Sequence, residues 1–422
     1  MRILLIGNGG REHAIARSLY NGSPSDILYA IPGNPGISQY CECIKINPLD
    51  FKALCNFVSM NKVGLVIIGP EVPICNGLTD YFLELGVKVF APREKASLLE
   101  SSKKFTKEIA LENNIPTAAA KSFNVYAESI EYLKKMQPPY VIKADGLAAG
   151  KGVFICDSFL EAQTAVHDIF DGRFGLNQSV LIEEFLDGEE ISYFAISDGE
   201  NILPLMGAQD HKRLLDGDKG PNTGGMGAYC PPPILTKKLE NKIINLILEP
   251  TLSGLKKRDI SYTGVLFAGL MIRDGEPSLI EYNIRFGDPE TQALLMLLKS
   301  NFTELVLDTV NVNLKNHKIQ WHDKKSLTIV LANKGYPLEY NIDSSITGIK
   351  DAEANKNIKV FHAGTSIVNG ELIATGGRVL NVTSTANTIQ EARDQAYEAV
   401  DKITYKDKFY RKDIAWRGIQ SE

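Results

Sequence analysis

A multidomain protein that mixes α/β and α+β architecture is what this sequence predicts, and three observations carry that reading. Over about the first hundred residues, short apolar runs alternate with helical patterns, as in a parallel, doubly wound sheet. From Ser101 the pattern changes to strand pairs, one of them joined by a glycine-rich loop. At 422 residues and roughly 150 residues per domain, the chain has room for about three domains.

Composition narrows the class. Hydrophobic residues make up 44% and charged residues 23%, ordinary globular values that set aside disordered, collagen-like and coiled-coil proteins. No apolar run approaches the roughly 18 residues that span a bilayer. The opening segment Met1–Gly7 is too short and too soon broken by glycine for a signal peptide. Lys plus Arg total 46 against 51 Asp plus Glu, a net −5. That balance predicts no nucleic-acid partner and no membrane, but allows a small anion held by local cations. Cys41, Cys43, Cys55, Cys75, Cys156 and Cys230 show neither a CxxC pair nor zinc-ligand spacing, which suits reduced thiols in a cytoplasmic enzyme.

The elements follow in order. Arg2–Ile6, Ile27–Ala30, Leu65–Ile68 and Val87–Phe90 read as strands, with helices over Arg11–Tyr20, Leu49–Met60 and Gly77–Leu85. The domain is thus Rossmann-like, and its first turn, Gly7–His13, looks like a glycine turn that binds phosphate at a helix start. As a dinucleotide fingerprint it fails twice. Glu12 stands where Gly or Ala is required, and the second strand runs into Ala30–Gly33 without an acidic residue. A nicotinamide-dependent oxidoreductase therefore ranks below an enzyme with a different anionic ligand.

Ser101 or Ser102 can cap a helix running to about Asn113, with Pro116 beyond it. Tyr140–Asp145 and Lys151–Cys156 read as strands joined by the glycine-rich loop, and Val180–Glu184 and Ile191–Ile196 as further strands. Gln209–Pro233 reads as a long irregular stretch, of the kind that is functional or disordered. Tyr262–Ile272 and Ser278–Phe286 form a strand pair, followed by a helix from about Glu290. Asn311–Lys325 is polar and reads as a linker. Beyond it, Leu327–Ala332, Ala374 and Arg378–Val382 suggest strands. Thr388–Ile403 is an amphipathic helix, with Ile389, Ala392, Ala396, Val400 and Ile403 on one face.

Three constellations carry chemistry. Strand periodicity in Ser278–Phe286 puts Ile280, Tyr282, Ile284 and Phe286 on one face and Glu281, Asn283 and Arg285 on the other. A carboxylate, an amide oxygen and a guanidinium in a row suit a hard cation and a phosphoryl group, and the acidic turn Phe286–Glu290 follows at once. Lys143–Gly152 resembles a Walker loop, but it is one residue short, lacks the Ser or Thr, and leads into a strand. Such a loop can instead fold over phosphates as a lid. Glu183–Glu190 is an acidic segment after a strand, able to offer backbone groups to an adenine and a carboxylate to a ribose.

Lys103, Lys143, the Gly146–Gly152 loop, Glu183–Glu190 and Glu281–Asn283 fall in the order and spacing of the ATP-grasp superfamily. Gly7–Ala14, Ile142–Val153, Gln209–Arg213, Gly220–Ala228 and Arg285–Gln292 narrow the match. In these segments the chain resembles the phosphoribosylamine–glycine ligase family (glycinamide ribonucleotide synthetases) over essentially its whole length.

The resemblance implies an N-terminal pre-ATP-grasp domain (1–101), an ATP-grasp core (102–325) with a mobile lid (about 122–188), and a small C-terminal α+β domain (326–422). It implies ligation of glycine to 5-phosphoribosylamine with ATP through a glycyl phosphate, with Mg²⁺ or Mn²⁺, by a monomer or weak oligomer. Another ATP-grasp carboxylate–amine ligase is the nearest alternative.

Site roles are carried over in the same way. Lys103, Lys143, Gly150 and Lys151 would hold the ATP phosphates. Glu183, Glu184 and Leu186 would line the adenine site, and Glu190 the ribose. Glu281 and Asn283 would ligate the metal, and Arg285 would stabilise the transferring phosphoryl group. Gly9, Gly10, Glu71 and Arg378 would take the sugar phosphate, Asp288 the glycine ammonium, and His211 either a proton of the attacking amine or a phosphate. In one departure, Phe267-Ala268-Gly269 stands where many superfamily members carry a further acidic ligand.

Overall fold

The computed structural model describes residues 1–147, 152–175 and 178–422. Its first domain is a five-stranded parallel sheet in the order Glu42–Cys43, Ile27–Pro32, Arg2–Gly7, Leu65–Ile68, Lys88–Phe90. Side chains alternate between the two faces as a strand period of two requires. Leu4, Ile6, Val66 and Ile68 enter one core, while Ile3, Leu5, Leu65 and Ile67 enter another. Burial on both faces explains why these strands read as unbroken apolar runs. The order of strands reverses beside Arg2–Gly7, and the crevice at that reversal receives the turn Asn8–Arg11 and the residue Glu71.

Ser102 accepts the Phe105 N–H (3.1 Å) and starts the helix Lys103–Glu112. A small antiparallel sheet follows, ordered Ala120–Phe123, Val180–Glu184, Tyr140–Ala144, Val153–Cys156. With the helices Tyr126–Leu133 and Phe159–Phe170 it closes its own core around Phe123, Leu133, Ile142, Val166 and Ile182. This is the part of the chain expected to form the lid.

One large sheet carries the rest. Its order is Glu276–Asn283, Thr263–Arg273, Glu189–Asp198, Ile202–Asp210, Gly227–Cys230, Lys325–Asn333, Arg378–Ala386, Ile358–His362. Gly227–Cys230 pairs with Lys325–Asn333, so the sheet runs unbroken across the expected boundary near residue 325.

Two readings need correction. Gln209–Pro233 is not irregular: it holds the hairpin Arg213–Leu215 with Lys219–Asn222, and the strand Gly227–Cys230. Its glycines mark tight turns between short strands, as at Gly217 (φ +68°). Asn311–Lys325 is not a free linker either. Leu314 is buried in the core and donates its N–H to Asp198 Oδ2 (3.0 Å).

The last long helix, Ile389–Lys402, buries Ile389, Ala392, Ala396, Ala399 and Val400. Thr388 caps it by accepting the Glu391 N–H (3.1 Å). We expect Thr388→Ala to lower the unfolding free energy by about 1 kcal/mol, read as a shifted urea midpoint; an unchanged midpoint would show the cap to be idle.

Candidate active site

Between the three parts lies a cleft with two lobes. The polar lobe has a volume of about 410 Å³ and the more apolar one about 430 Å³. Lys143, Glu183, Asp210, Lys212, Ile280 and Glu281 line both, so these residues stand at the junction.

The strand Glu276–Asn283 supplies the junction, but not with the regular alternation its sequence suggests. Glu281 pairs with Gly269 and Leu279 with Leu270, leaving Ile280 as an extra residue, a β-bulge. The bulge sends Leu279, Tyr282 and Ile284 into the core and releases Ile280 into the cleft. Ile280 was expected on the Tyr282 face; the bulge overturns that. Glu281 and Asn283 both line the polar lobe, and Gly269 opposite Glu281 offers no third side-chain oxygen.

Cations surround this strand. Lys143 Nζ lies 2.7 Å from Glu183 Oε2, and Lys107 Nζ lies 3.1 Å from Glu183 Oε1. Glu183 thus anchors two lysines rather than presenting its carboxylate to the cleft alone. Lys103 donates to the Gly146 carbonyl (2.9 Å), while its N–H meets Asp145 Oδ1 (2.7 Å). Burial, together with Lys143, pulls the Lys103 ammonium below its ordinary range. Burial would push the Glu281 carboxyl up, but Lys212, Lys143, Lys103 and Arg285 outweigh it and hold it down. Glu281 is therefore ionised.

Arg285 follows the strand and is held by two carboxylates, Glu71 (Nε to Oε2, 3.1 Å) and Glu100 (Nη2 to Oε1, 2.9 Å). Glu100 also accepts the Ile284 N–H (2.8 Å), fixing backbone and guanidinium together. Against the effect of burial, Arg285 and Arg11 hold the Glu71 carboxyl down at about 2. Glu71, expected at the sugar phosphate, thus serves Arg285 in this arrangement.

The second lobe is bounded by Val141, Val153 and Ile155 of the small sheet and by Met271 and Ile280 of the large one. Phe185 and Leu186, between the two, complete an apolar slot. Glu184 lines it too, with Oε1 accepting the Ala119 N–H (2.9 Å), and Glu190 is paired with Lys212. Gly150 and Lys151 lie outside the described residues.

At the far end of the polar lobe, Arg378 donates to the carbonyls of Gly224 and Asp288 (2.6 Å each) and faces Asp288 Oδ2 at 3.5 Å. Asp288 also accepts from Gln292 (2.8 Å). At the glycine turn Gly9 donates its N–H to Glu12 Oε2 (2.7 Å), and the buried Glu12 also holds Arg11. Gly10 is buried against Gln292 and Asn381.

His211 is placed elsewhere. It is fully buried, lines neither lobe, and its Nε2 accepts the Ala415 N–H (2.8 Å). A ring nitrogen so engaged cannot take a proton from a substrate amine; His211 instead ties the large sheet to the chain's last segment. Burial lowers its proton affinity.

His362 is buried likewise, with burial and then Lys359 pushing its imidazole down to about 4. Its N–H meets His13 Nδ1 at 2.7 Å. A folded value below the unfolded one means that the unfolded chain binds the extra proton between them. Stability from this site is complete above about pH 6.5 and is lost as pH falls, on the order of 2 kcal/mol by about pH 5. His362→Asn should flatten the urea midpoint between about pH 7 and pH 5; an unchanged slope would contradict this.

Sequence reasoning missed Arg11, Glu100, Lys107, Asp210, Lys212 and Glu290, all of which line the polar lobe. Lys107 had a signal, four residues after Lys103 and so on the same helix face. Lys212 and Glu290 lay inside quoted motifs without a role. Glu100 had none, because only the fold brings it to Arg285.

Three family models match along the chain: the N domain of phosphoribosylglycinamide synthetase at residues 1–100, its ATP-grasp (A) domain at 101–291 and its C domain at 326–417. The phosphoribosylamine–glycine ligase of Agrobacterium fabrum is 46% identical over 423 residues, covering 100% of both chains. That of Escherichia coli O157:H7 is 44% identical over 428 residues, again covering 100% of both. A crystal structure of the Thermotoga maritima phosphoribosylamine–glycine ligase superposes with a TM-score of 0.85 at 34% identity, covering 98% of this chain and 100% of that one. A biotin carboxylase from Campylobacter jejuni shares the fold at a TM-score of 0.73 and 13% identity, covering 96% and 92%. With a cleft built on Glu281, Asn283 and Arg285 and matches along its whole length, this chain belongs to the phosphoribosylglycinamide synthetase family of ATP-grasp ligases.

Proposed function

We propose that this protein joins glycine to 5-phosphoribosylamine at the expense of ATP, giving glycinamide ribonucleotide, ADP and phosphate in de novo purine biosynthesis. The observation that carries this is the placing of Glu281, Asn283 and Arg285 where an apolar slot opens into a cation-rich lobe. ATP fits with its base in the slot, beside Leu186 and the backbone of Glu183–Leu186, its ribose near Glu190, and its phosphates toward Lys103 and Lys143. Lys151 and Gly150 belong to the loop that would cover them.

Glu281 and Asn283 suit a hard divalent cation, because both offer oxygen and Glu281 is ionised. Among the described residues no group of three or more His, Cys, Asp or Glu could hold an ion. Phosphate oxygens would then complete the shell, as Mg²⁺ prefers; Mn²⁺ accepts the same donors. Once bound, the cation supplies charge neutralisation to the phosphates.

The protein's part follows from its charges. A glycine carboxylate oxygen attacks the γ-phosphorus, the bond to the β-phosphate breaks, and ADP leaves. Arg285, held by Glu71 and Glu100, meets the charge that spreads over the equatorial oxygens. The amine of phosphoribosylamine then attacks the acyl carbon, a C–N bond forms, the amine loses a proton, and phosphate leaves. Water must be kept from the acyl phosphate, which is work for the lid. Gly9, Gly10 and Arg378 are our candidates for the sugar phosphate, with Glu71 and Asp288 orienting the two arginines beside it. We place the enzyme in the cytoplasm, as a monomer or weak oligomer.

The test is ADP release with glycine and with phosphoribosylamine generated in situ, omitting each in turn. Dependence on both supports the reading. ADP release that ignores glycine but responds to another carboxylate would point to a different ATP-grasp ligase.

A further inference from the structure

Most carboxylates of the polar lobe are already committed to a cation of the protein. Glu71 and Glu100 pair with Arg285, Asp288 with Arg378, and Glu183 with Lys107 and Lys143. Among the described residues, that leaves Asp210, Glu281 and Glu290 lining the lobe without an ion pair. Glu281, beside Asn283, has its cation assigned above. Asp210 and Glu290 do not.

Both are built into rigid elements. Asp210 closes the strand Ile202–Asp210 and lines both lobes. Glu290 opens the helix Glu290–Leu297, is 4% exposed, and accepts from Ser192 Oγ at 3.2 Å. Burial pushes both carboxyls up, and the charge of Glu290 adds to the rise at Asp210. Lys212, and at Glu290 also Arg285, act against that rise, but among the described residues neither carboxylate forms an ion pair, and a carboxylate held in a cleft without one is costly unless a cation arrives with the ligand.

A second divalent ion is the competing occupant, and the metal requirement measured below separates it from an ammonium. An ammonium suits better: it is singly charged and has three N–H donors to share between two carboxylates. An amino acid held there can turn its own carboxylate toward Arg285, which lines the same lobe.

We propose that Asp210 and Glu290 hold the ammonium group of glycine and so orient its carboxylate for phosphorylation. This rests on the functional reading above and moves the ammonium from Asp288, which Arg378 and Gln292 already engage.

Asp210→Asn and Glu290→Gln test it by steady-state kinetics. Loss of a charged hydrogen-bond partner predicts a glycine KM raised roughly 10- to 100-fold. The KM for ATP and the metal concentration for half-activation should stay within about twofold, as expected where no ATP or metal contact is removed. A structural role alone would not change the choice between glycine and glycolate, which lacks the ammonium. The wild type should strongly prefer glycine to glycolate as a competitive ligand, and the variants should lose that preference. Should Glu290→Gln fail to fold, Asp210→Asn carries the same expectation. An unchanged glycine KM in folded variants, or a rise confined to the metal requirement or to the phosphoribosylamine KM, would overturn the proposal. Wild-type enzyme whose ADP release ignores glycine would overturn the functional reading instead.

Discussion

Glu281→Ala should reduce ADP release by about a thousandfold or more, since it removes the one ionised side-chain oxygen expected to bind the metal at the transferring phosphate. The fold should survive. Glu281 is only partly buried, belongs to no core cluster and makes no ion pair among the described residues, whereas Leu279 and Tyr282 beside it carry the packing. Its carboxylate is surrounded by Lys103, Lys143 and Lys212, so its loss raises the net positive charge of the lobe even though Lys143 keeps Glu183 and Lys212 keeps Glu190. Nucleotide affinity without metal should accordingly hold or rise, as phosphates take over that neutralising role. Turnover, far-UV circular dichroism and ATP binding with and without metal together check the prediction. Near-normal turnover would remove the metal assignment.

Arg285→Lys should cost about a thousandfold in kcat, in the range seen when an arginine that stabilises phosphoryl transfer is lost. Lysine keeps the charge but not the planar fork that reaches Glu71 and Glu100 at once. Stability should fall as well. Burial pushes the Glu100 carboxyl up even with Arg285 present, and a lysine that leaves one of the two carboxylates without its hydrogen-bond partner costs about 1–3 kcal/mol. A thermal melt separates the two effects, and the kcat loss should persist where the variant is fully folded. A variant with wild-type kcat would make Arg285 a scaffold residue only.

How much of this was legible beforehand depended on how local the signal was. The four apolar strands of the first domain announce themselves within a few residues, and so does a serine cap at 101 or 102, which the structure gives to Ser102. The site triad Glu281, Asn283 and Arg285 was likewise readable from one strand's period. The bulge at Ile280 was not, because an extra residue in one strand is visible only against its partner Thr263–Arg273. Turn glycines hid the short strands between Arg213 and Cys230. The ion pairs were beyond reach for a different reason. Glu100 and Arg285 are 185 residues apart, and only the packing of the first domain on the large sheet brings them together. His211 shows the opposite error: a histidine inside a recognisable motif, taken for chemistry, lies buried under Ala415.

The central claim is that this cleft activates glycine by phosphorylating its carboxylate. Glycine labelled with oxygen-18 in that carboxylate tests it most directly, by mass analysis of the phosphate released during turnover with ATP and phosphoribosylamine. If a glycyl phosphate forms and the amine displaces phosphate from it, one labelled oxygen appears in each phosphate. Phosphate free of label, with glycinamide ribonucleotide still formed, would contradict the account.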